Sequence, residues 1–347
     1  VKILVRATNW VGDAVMSIPA LEAIRGRWPG AEIAVLGRPW VADLYRGQSF
    51  ADRLLVFDHA GRHRGALGLE RLASELRRER FGVAVLLQNA FEAAWIAWRA
   101  GIPERIGYAR DARGFLLTRA VEVPRPGESP PHESYYYLEM LRRAGWLERL
   151  ATLEFIRLRV DGDSRGRAED RLRGAGAREG TFRVALGPGA AYGAAKCWPP
   201  DRYAALADRL IADGDADVIL FGTVAEREVA QRIARGMQHR PIVLVGETSI
   251  GELPALLSLC HLFIGNDSGA MHLAAAVGLP VVGIFGPTDP AGTAALAPHF
   301  QLVRQPVSCS PCFLRRCPVD HRCMKRIEVD AVYAAARPWL ARSARSV

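Results

Sequence analysis

Four short stretches of this chain place ionisable side chains where an apolar run gives way to a helical pattern. In the run 8–21, TNWVGDAVMSIPAL, Gly12 permits a tight turn and Asp13 falls where the helix begins. A carboxylate there either caps the helix or faces a ligand as a base, and the helix's positive end favours its ionised form. In 187–199, GPGAAYGAAKCWP, the glycines Gly187, Gly189 and Gly193 let backbone N–H groups turn towards an anion, and Lys196 adds a mobile charge. Lys196 is one of three lysines among 46 basic residues, so its retention is informative. In 263–290, FIGNDSGAMHLAAAVGLPVVGIFGPTDP, a buried strand ends at Asp267, and Ser268 and Gly269 open an Ala-rich helix whose free N–H groups suit an oxyanion. His272 lies one turn further in, as either a core histidine or a ligand contact. No Lys or Arg occurs in 251–300, so an anion held here relies on backbone and on Lys196. In 221–228, FGTVAERE, Glu226 or Glu228 could accept from a ribose hydroxyl or simply favour a helix start. Neither a Walker loop nor the dinucleotide fingerprint G-x-G-x-x-G is present, which argues against a nicotinamide-dependent oxidoreductase.

These junctions need scaffolding, and the rest of the chain supplies its rhythm. Apolar, β-branched runs at Lys2–Arg6, Glu32–Leu36, Arg53–Phe57, Val83–Leu87 and Arg105–Tyr108 alternate with helical patterns such as 66–79 and 91–100. The second half repeats this with Phe182–Leu186, Asp217–Phe221, Ile242–Val245, Leu262–Gly265, Val281–Phe285 and Gln301–Val303. Continuous apolar strands separated by helices predict parallel sheets covered on both faces, hence an α/β chain of two doubly wound, Rossmann-like domains. Ligands of such sheets bind beyond the carboxyl ends of the strands, so the expected site is a cleft that two sheets face. The charged, Gly-rich stretch 161–181 marks the break, giving domains 1–165 and 166–347. The sequence leaves open which domain the terminal helical pattern Val329–Leu340 covers.

With 347 residues, half of them hydrophobic and 24% charged, the chain is long enough for two cores and is not disordered. No apolar run reaches the roughly 18 residues of a spanning helix, and the first residues already read as a strand, so the expected location is the cytoplasm. The net charge of +9 is spread without a block of like charge. That disfavours nucleic acid and fits anionic small molecules or an anionic membrane surface. Cys309, Cys312, Cys317 and Cys323 crowd together with gaps of two, four and five residues. In a cytosolic chain these are not a disulfide framework. They either wrap one Zn²⁺, pack as free thiols or form an adventitious disulfide, and the expectation is a structural role without metal.

The pieces NWVGDAVMSIPAL, PGAAYGAAKCWP, NDSGAMHLAAA and FGPTDP resemble those of the bacterial ADP-heptose:lipopolysaccharide heptosyltransferases, glycosyltransferase family 9. Residues 88–117 and 309–324 look most like the type II branch of that family. The resemblance implies the glycosyltransferase B fold, with the acceptor on the first domain and the nucleotide sugar on the second. It implies inverting transfer, without metal or cofactor, of L-glycero-D-manno-heptose from ADP-heptose to the first heptose of the lipid A–Kdo inner core. Asp13 then matches the base, with Gly12 in its turn, and Lys196 the diphosphate-binding lysine, with Gly189 in its loop. Glu226 matches the ribose contact, Asp267 the donor-heptose contact, Ser268 and Gly269 the phosphate-binding helix start, and Thr248 the adenine loop. Arg62, Arg64, Arg110 and Arg113 are the candidates for acceptor phosphates. The implied partners are ADP-heptose, the lipid A–Kdo–heptose acceptor and the inner face of the membrane, met peripherally. The alternatives are a type I or III enzyme with another core acceptor, or a zinc-bearing nucleic-acid module.

Overall fold

A computed structural model describes residues 1–343 and divides the chain into two compact units, Val1–Thr152 and a second beginning at Leu153. In the first unit six strands, β1 (Lys2–Arg6), β2 (Glu32–Gly37), β3 (Arg53–Val56), β4 (Val83–Leu86), β5 (Glu104–Tyr108) and β6 (Arg119–Val121), form one sheet in the order β3-β2-β1-β4-β5-β6. All of its pairings are parallel. The second unit repeats the plan with β7 (Arg183–Gly187), β8 (Asp217–Leu220), β9 (Ile242–Val243), β10 (Leu262–Asn266), β11 (Val281–Phe285) and β12 (Phe300–Arg304), ordered β12-β11-β10-β7-β8-β9. Read from its other edge, this is the same 3-2-1-4-5-6 order, and its pairings are also parallel. The chain reverses direction across the sheet between β1 and β4, and again between β7 and β10. Ligands bind at such switch points.

The central strands are almost wholly apolar because helices cover both faces, and β4, β8, β10 and β11 have no exposed residue. The helix Gly65–Glu79 shows how the covering layer forms. Gly68, Leu72, Ala73 and Leu76 make its buried stripe, Arg71, Arg77 and Arg78 face out, and Arg80 ends it at a φ of 56°. Helix Pro200–Gly214 starts with proline and buries Tyr203, Ala204, Leu206, Ala207 and Leu210 at helical spacing. Each fully buried Leu or Ile contributes roughly 1.5–3 kcal/mol, so each unit has a core of its own.

Two features differ from expectation, and one that the sequence left open is settled. The units part after Thr152, ahead of the 161–181 stretch, because that stretch folds into helix Gly162–Gly174 on the second unit. Asp161 caps it, its Oδ1 accepting from the Ser164 N–H at 2.8 Å, while the Leu158 N–H donates to the Ala276 carbonyl at 2.8 Å. Strand β6 escaped the sequence because its first two residues, Arg119 and Ala120, are exposed at the sheet edge. The final helix, Val329–Ser343, covers the second unit: Val332, Tyr333 and Ala336 share a core with Leu206 and Leu210. The Tyr333 hydroxyl donates to Asp213 at 2.8 Å.

Candidate active site

In the second unit four strand-end turns meet through side chains at the carboxyl edge of the sheet. Asn266, the fully buried last residue of β10, ties two of them together. Its Nδ2 donates to the Pro188 carbonyl at 2.7 Å, and its Oδ1 accepts from the Trp198 N–H at 3.0 Å and the Tyr203 hydroxyl at 3.1 Å. Within the loop so fixed, Lys196 Nζ lies 2.6 Å from Asp267 Oδ2, with side chains only 11% and 4% exposed. The Thr288 hydroxyl donates to the same carboxylate oxygen at 2.7 Å, and the Tyr192 ring faces the ammonium at 4.8 Å. An ammonium desolvated this far and held by one carboxylate can exchange that partner for a more highly charged anion.

Glu226 sits on the opposite side of the Gly189 turn. A side chain at Gly189 would place its Cβ 1.7 Å from Glu226 Oε1, so only glycine allows that approach. Glu226 Oε2 accepts from the Thr223 N–H at 2.6 Å, which makes the carboxylate a helix-start cap while Oε1 lies against the loop. Thr248 is half-buried on the next loop, which the Gly246 N–H joins to the Gly222 carbonyl at 2.8 Å. Ser268 precedes helix Gly269–Ala276, and Gly269 is its first residue. The buried Ser268 hydroxyl has no hydrogen-bond partner and makes no cap. His272 is buried on the same helix. Lys196, Asp267, Glu226 and Gly189 are thus joined by contacts, with Ser268 and Gly269 adjacent in the chain. Sequence reasoning missed Asn266, Thr288 and Tyr192. A polar residue ending an apolar strand, and the threonine within FGPTDP, were the available signals.

The cysteine-rich segment lies against these loops. Its backbone is the reason. The N–H groups of Cys312 and Phe313 donate to the Pro287 carbonyl at 3.0 and 2.8 Å, and the Ala195 N–H donates to the Arg315 carbonyl at 3.1 Å. The Tyr192 hydroxyl donates to the Phe313 carbonyl at 2.5 Å, and His321 Nε2 lies 2.7 Å from the Ala195 carbonyl. All six cysteines are free thiols; Cys309 and Cys317 are exposed, while Cys323 is buried and its pKa is raised first by that burial. Among the described residues no group of three or more His, Cys, Asp or Glu is placed to hold a metal.

In the first unit Asp13 is the third residue of helix Val11–Met16, whose cap position is Trp10. Asp13 is therefore not the residue at the cap position, though it lies in the helix's first turn. The carboxylate is half-buried, and Tyr45 fixes its helix by donating to the Ala14 carbonyl at 2.8 Å. A second carboxyl that the sequence did not signal, Glu133, starts helix Glu133–Arg143 and hydrogen-bonds Tyr137. Burial, and then the charge of Asp13, push its pKa up to about 7.

The four arginines diverge. Arg62 is exposed and pairs with Glu75; Arg64 is exposed before helix Gly65–Glu79. Arg110 reaches the Tyr136 hydroxyl at 3.3 Å. Arg113 is fully buried and donates to the carbonyls of Tyr108 and Gln88 and to Asn89 Oδ1. It braces the core, so its expected contact with acceptor phosphate is withdrawn.

The family model for glycosyltransferase family 9 (heptosyltransferase) matches residues 69–322. The chain belongs to glycosyltransferase family 9. Among relatives of this family 9 chain, lipopolysaccharide heptosyltransferase 2 of Salmonella typhimurium is 31% identical over 316 residues, 87% of this chain and 88% of that one. The Escherichia coli K12 protein of the same name is 29% identical with the same coverage. The solved E. coli ADP-heptose lps heptosyltransferase II superposes with a TM-score of 0.83 at 26% identity, covering 99% of both chains. A family 9 glycosyltransferase structure from Veillonella parvula gives 0.85 at 23% identity, a likeness of fold. The fold of this family 9 chain is the glycosyltransferase B type, built from two Rossmann-like units.

Proposed function

We propose that this chain transfers L-glycero-D-manno-heptose, with inversion, from ADP-heptose to the first heptose of the lipopolysaccharide inner core. The observation that carries the reading is the Lys196–Asp267–Thr288 arrangement on the carboxyl edge of the second unit's sheet, beside Glu226 and the Ser268–Gly269 helix start. In this reading Lys196 leaves Asp267 for the donor diphosphate. Asp267, still held by Thr288, then receives the heptose hydroxyls, and Glu226 Oε1 the ribose. Asp13 works from the first unit as base. A carboxylate is far too weak to ionise an alcohol in the ground state. Proton transfer must accompany departure of ADP, as the acceptor oxygen bonds the anomeric carbon and becomes acidic. The leaving diphosphate gathers charge at the same moment, and Lys196 with the amides at Ser268 and Gly269 stabilises it.

The acceptor is a lipid, so the reaction belongs at a membrane surface that the enzyme meets peripherally. No helix among the described residues is long and apolar enough to cross a membrane. The deciding experiment incubates the chain with ADP-heptose and a set of defined lipid A–Kdo acceptors with and without the first heptose, following ADP release. Turnover confined to the heptose-bearing acceptor supports the reading. Turnover on the heptose-free acceptor would make the chain a type I enzyme instead.

A further inference from the structure

Two guanidiniums are buried together at the carboxyl ends of the neighbouring strands β1 and β2. Arg6 is 2% and Arg38 8% exposed. Both lie against the Phe57 ring, their Cζ atoms 5.3 and 4.3 Å from its centroid. Arg6 is partly satisfied: Nη2 donates to Asn9 Oδ1 at 2.9 Å, and Nη1 to the carbonyls of Ala7 and Leu36. Arg6 Nε and Arg38 Nη1 are buried without a hydrogen-bond partner, as is the Thr8 hydroxyl two residues beyond Arg6. Among the described residues the only carboxylate paired with either arginine is Glu92, 3.9 Å from Arg38 Nη2 and so beyond hydrogen-bond length. Burial, with Arg38's charge adding, holds the pKa of Arg6 down to about 10, and burial also lowers that of Arg38 against the pull of Glu92. Both remain cations at neutral pH. Two desolvated positive charges thus face one loosely held negative charge, an imbalance that an anion between them relieves.

We infer that Arg38, after β2, with Arg6 at the end of β1 behind it, forms an oxyanion-binding site beside the strand-end turn that leads from β1 to Asp13. Resting on the heptosyl-transfer reading, its occupant is an acidic group, phosphate or carboxylate, of the anionic acceptor. A planar guanidinium with a free donor suits that group. The turn is also fixed in advance of any ligand: the Trp40 indole N–H donates to the Asn9 carbonyl at 2.8 Å, and Asn9 in turn holds Arg6.

The test titrates inorganic phosphate calorimetrically into the full chain, with ADP present at saturation to occupy the donor site. Saturable phosphate binding is expected in the wild type, weakened at least tenfold in Arg38→Gln. It should be tightened at least threefold in Glu92→Gln, a gain that misfolding cannot imitate. In turnover, Arg38→Gln should raise KM for the native acceptor at least fivefold while donor KM stays within twofold. The KM effect should vanish for an acceptor with phosphates removed and carboxylates esterified. Equal phosphate affinity in all three proteins would overturn the site. Affinity that follows the variants while acceptor KM does not move would overturn the acceptor as occupant and leave a site for free phosphate. If the wild type releases no ADP with any acceptor, the transfer reading fails, and the phosphate titration still decides the site.

Discussion

Lys196 and Asp267 satisfy one another at 2.6 Å in a desolvated setting, so removing either leaves a buried charge behind. Lys196→Ala is expected to lower kcat/KM for the donor by roughly 2–4 kcal/mol, about 30- to 1000-fold, as for losing a charged partner. Steady-state kinetics measures this, and full activity in the variant would remove the diphosphate role. Asp13 calls for a different substitution, because Asn keeps the shape and loses only the charge. Asp13→Asn should cut turnover by roughly a hundredfold or more while ADP affinity, read by calorimetry, stays put. Near-wild-type turnover would leave Asp13 without a catalytic part. Glu133 supplies a pH signature. Its folded pKa of about 7 lies above the unfolded value, so the folded chain holds the proton more tightly. The stability tied to that proton is complete below about pH 4.5 and is lost as pH climbs through about 7. Glu133→Gln should therefore match the wild type at pH 4 and gain on it by roughly 2–3 kcal/mol at pH 8. Urea melts across that range check it, and a difference that does not vary with pH would contradict it.

At the scale of elements, the donor edge is an assembly of turns held by backbone, and glycine makes the closest approach possible. Gly189→Ala would drive a methyl into Glu226 Oε1, forcing the loop or the carboxylate aside. Donor KM should rise about fivefold or more, equivalent to losing roughly one hydrogen bond, while acceptor KM is unaffected. Equal increases in both constants would point to general unfolding instead. This level also shows what the sequence could and could not disclose. The central strands were legible because continuous apolar runs leave little alternative. Asp267, Ser268 and Gly269 were legible because a strand-to-helix junction has its own residue grammar. Strand β6 was not, since its pairing rests on backbone while Arg119 and Ala120 look like loop. Arg113 could not be told from surface arginines in so Arg-rich a chain; only its burial separates it. Nor could spacing among cysteines show that their segment leans on Lys196's loop, because carbonyls rather than thiols make that contact.

The two units share one strand order, so each has its own switch point: β1 leads to Asp13, and β7 leads to Lys196. If the donor belongs to the second unit, ADP should slow amide exchange chiefly in residues 187–198, 222–228 and 246–250 and around 266–290. Residues 2–16 should change little. Hydrogen-exchange mass spectrometry reads both sets in one experiment, and protection centred on residues 8–16 would reverse the assignment of ligands to units.

The bonds from Tyr192 to Phe313 and from Ala195 to His321 join positions 121 and 126 residues apart. A contact of such range pays its chain-closure entropy late, after the local pairings have formed. During synthesis, a chain that has emerged as far as β11 already has the strands of the second sheet's centre, but the loop bearing Lys196 is held only from the end of β10, through Asn266 and Asp267, and its Tyr192–Ala195 side is not yet braced. Competence for the donor should therefore arrive in one step as residues 309–321 clear the ribosome. A stalled or prematurely ended product would fold much of its sheet and still be catalytically silent.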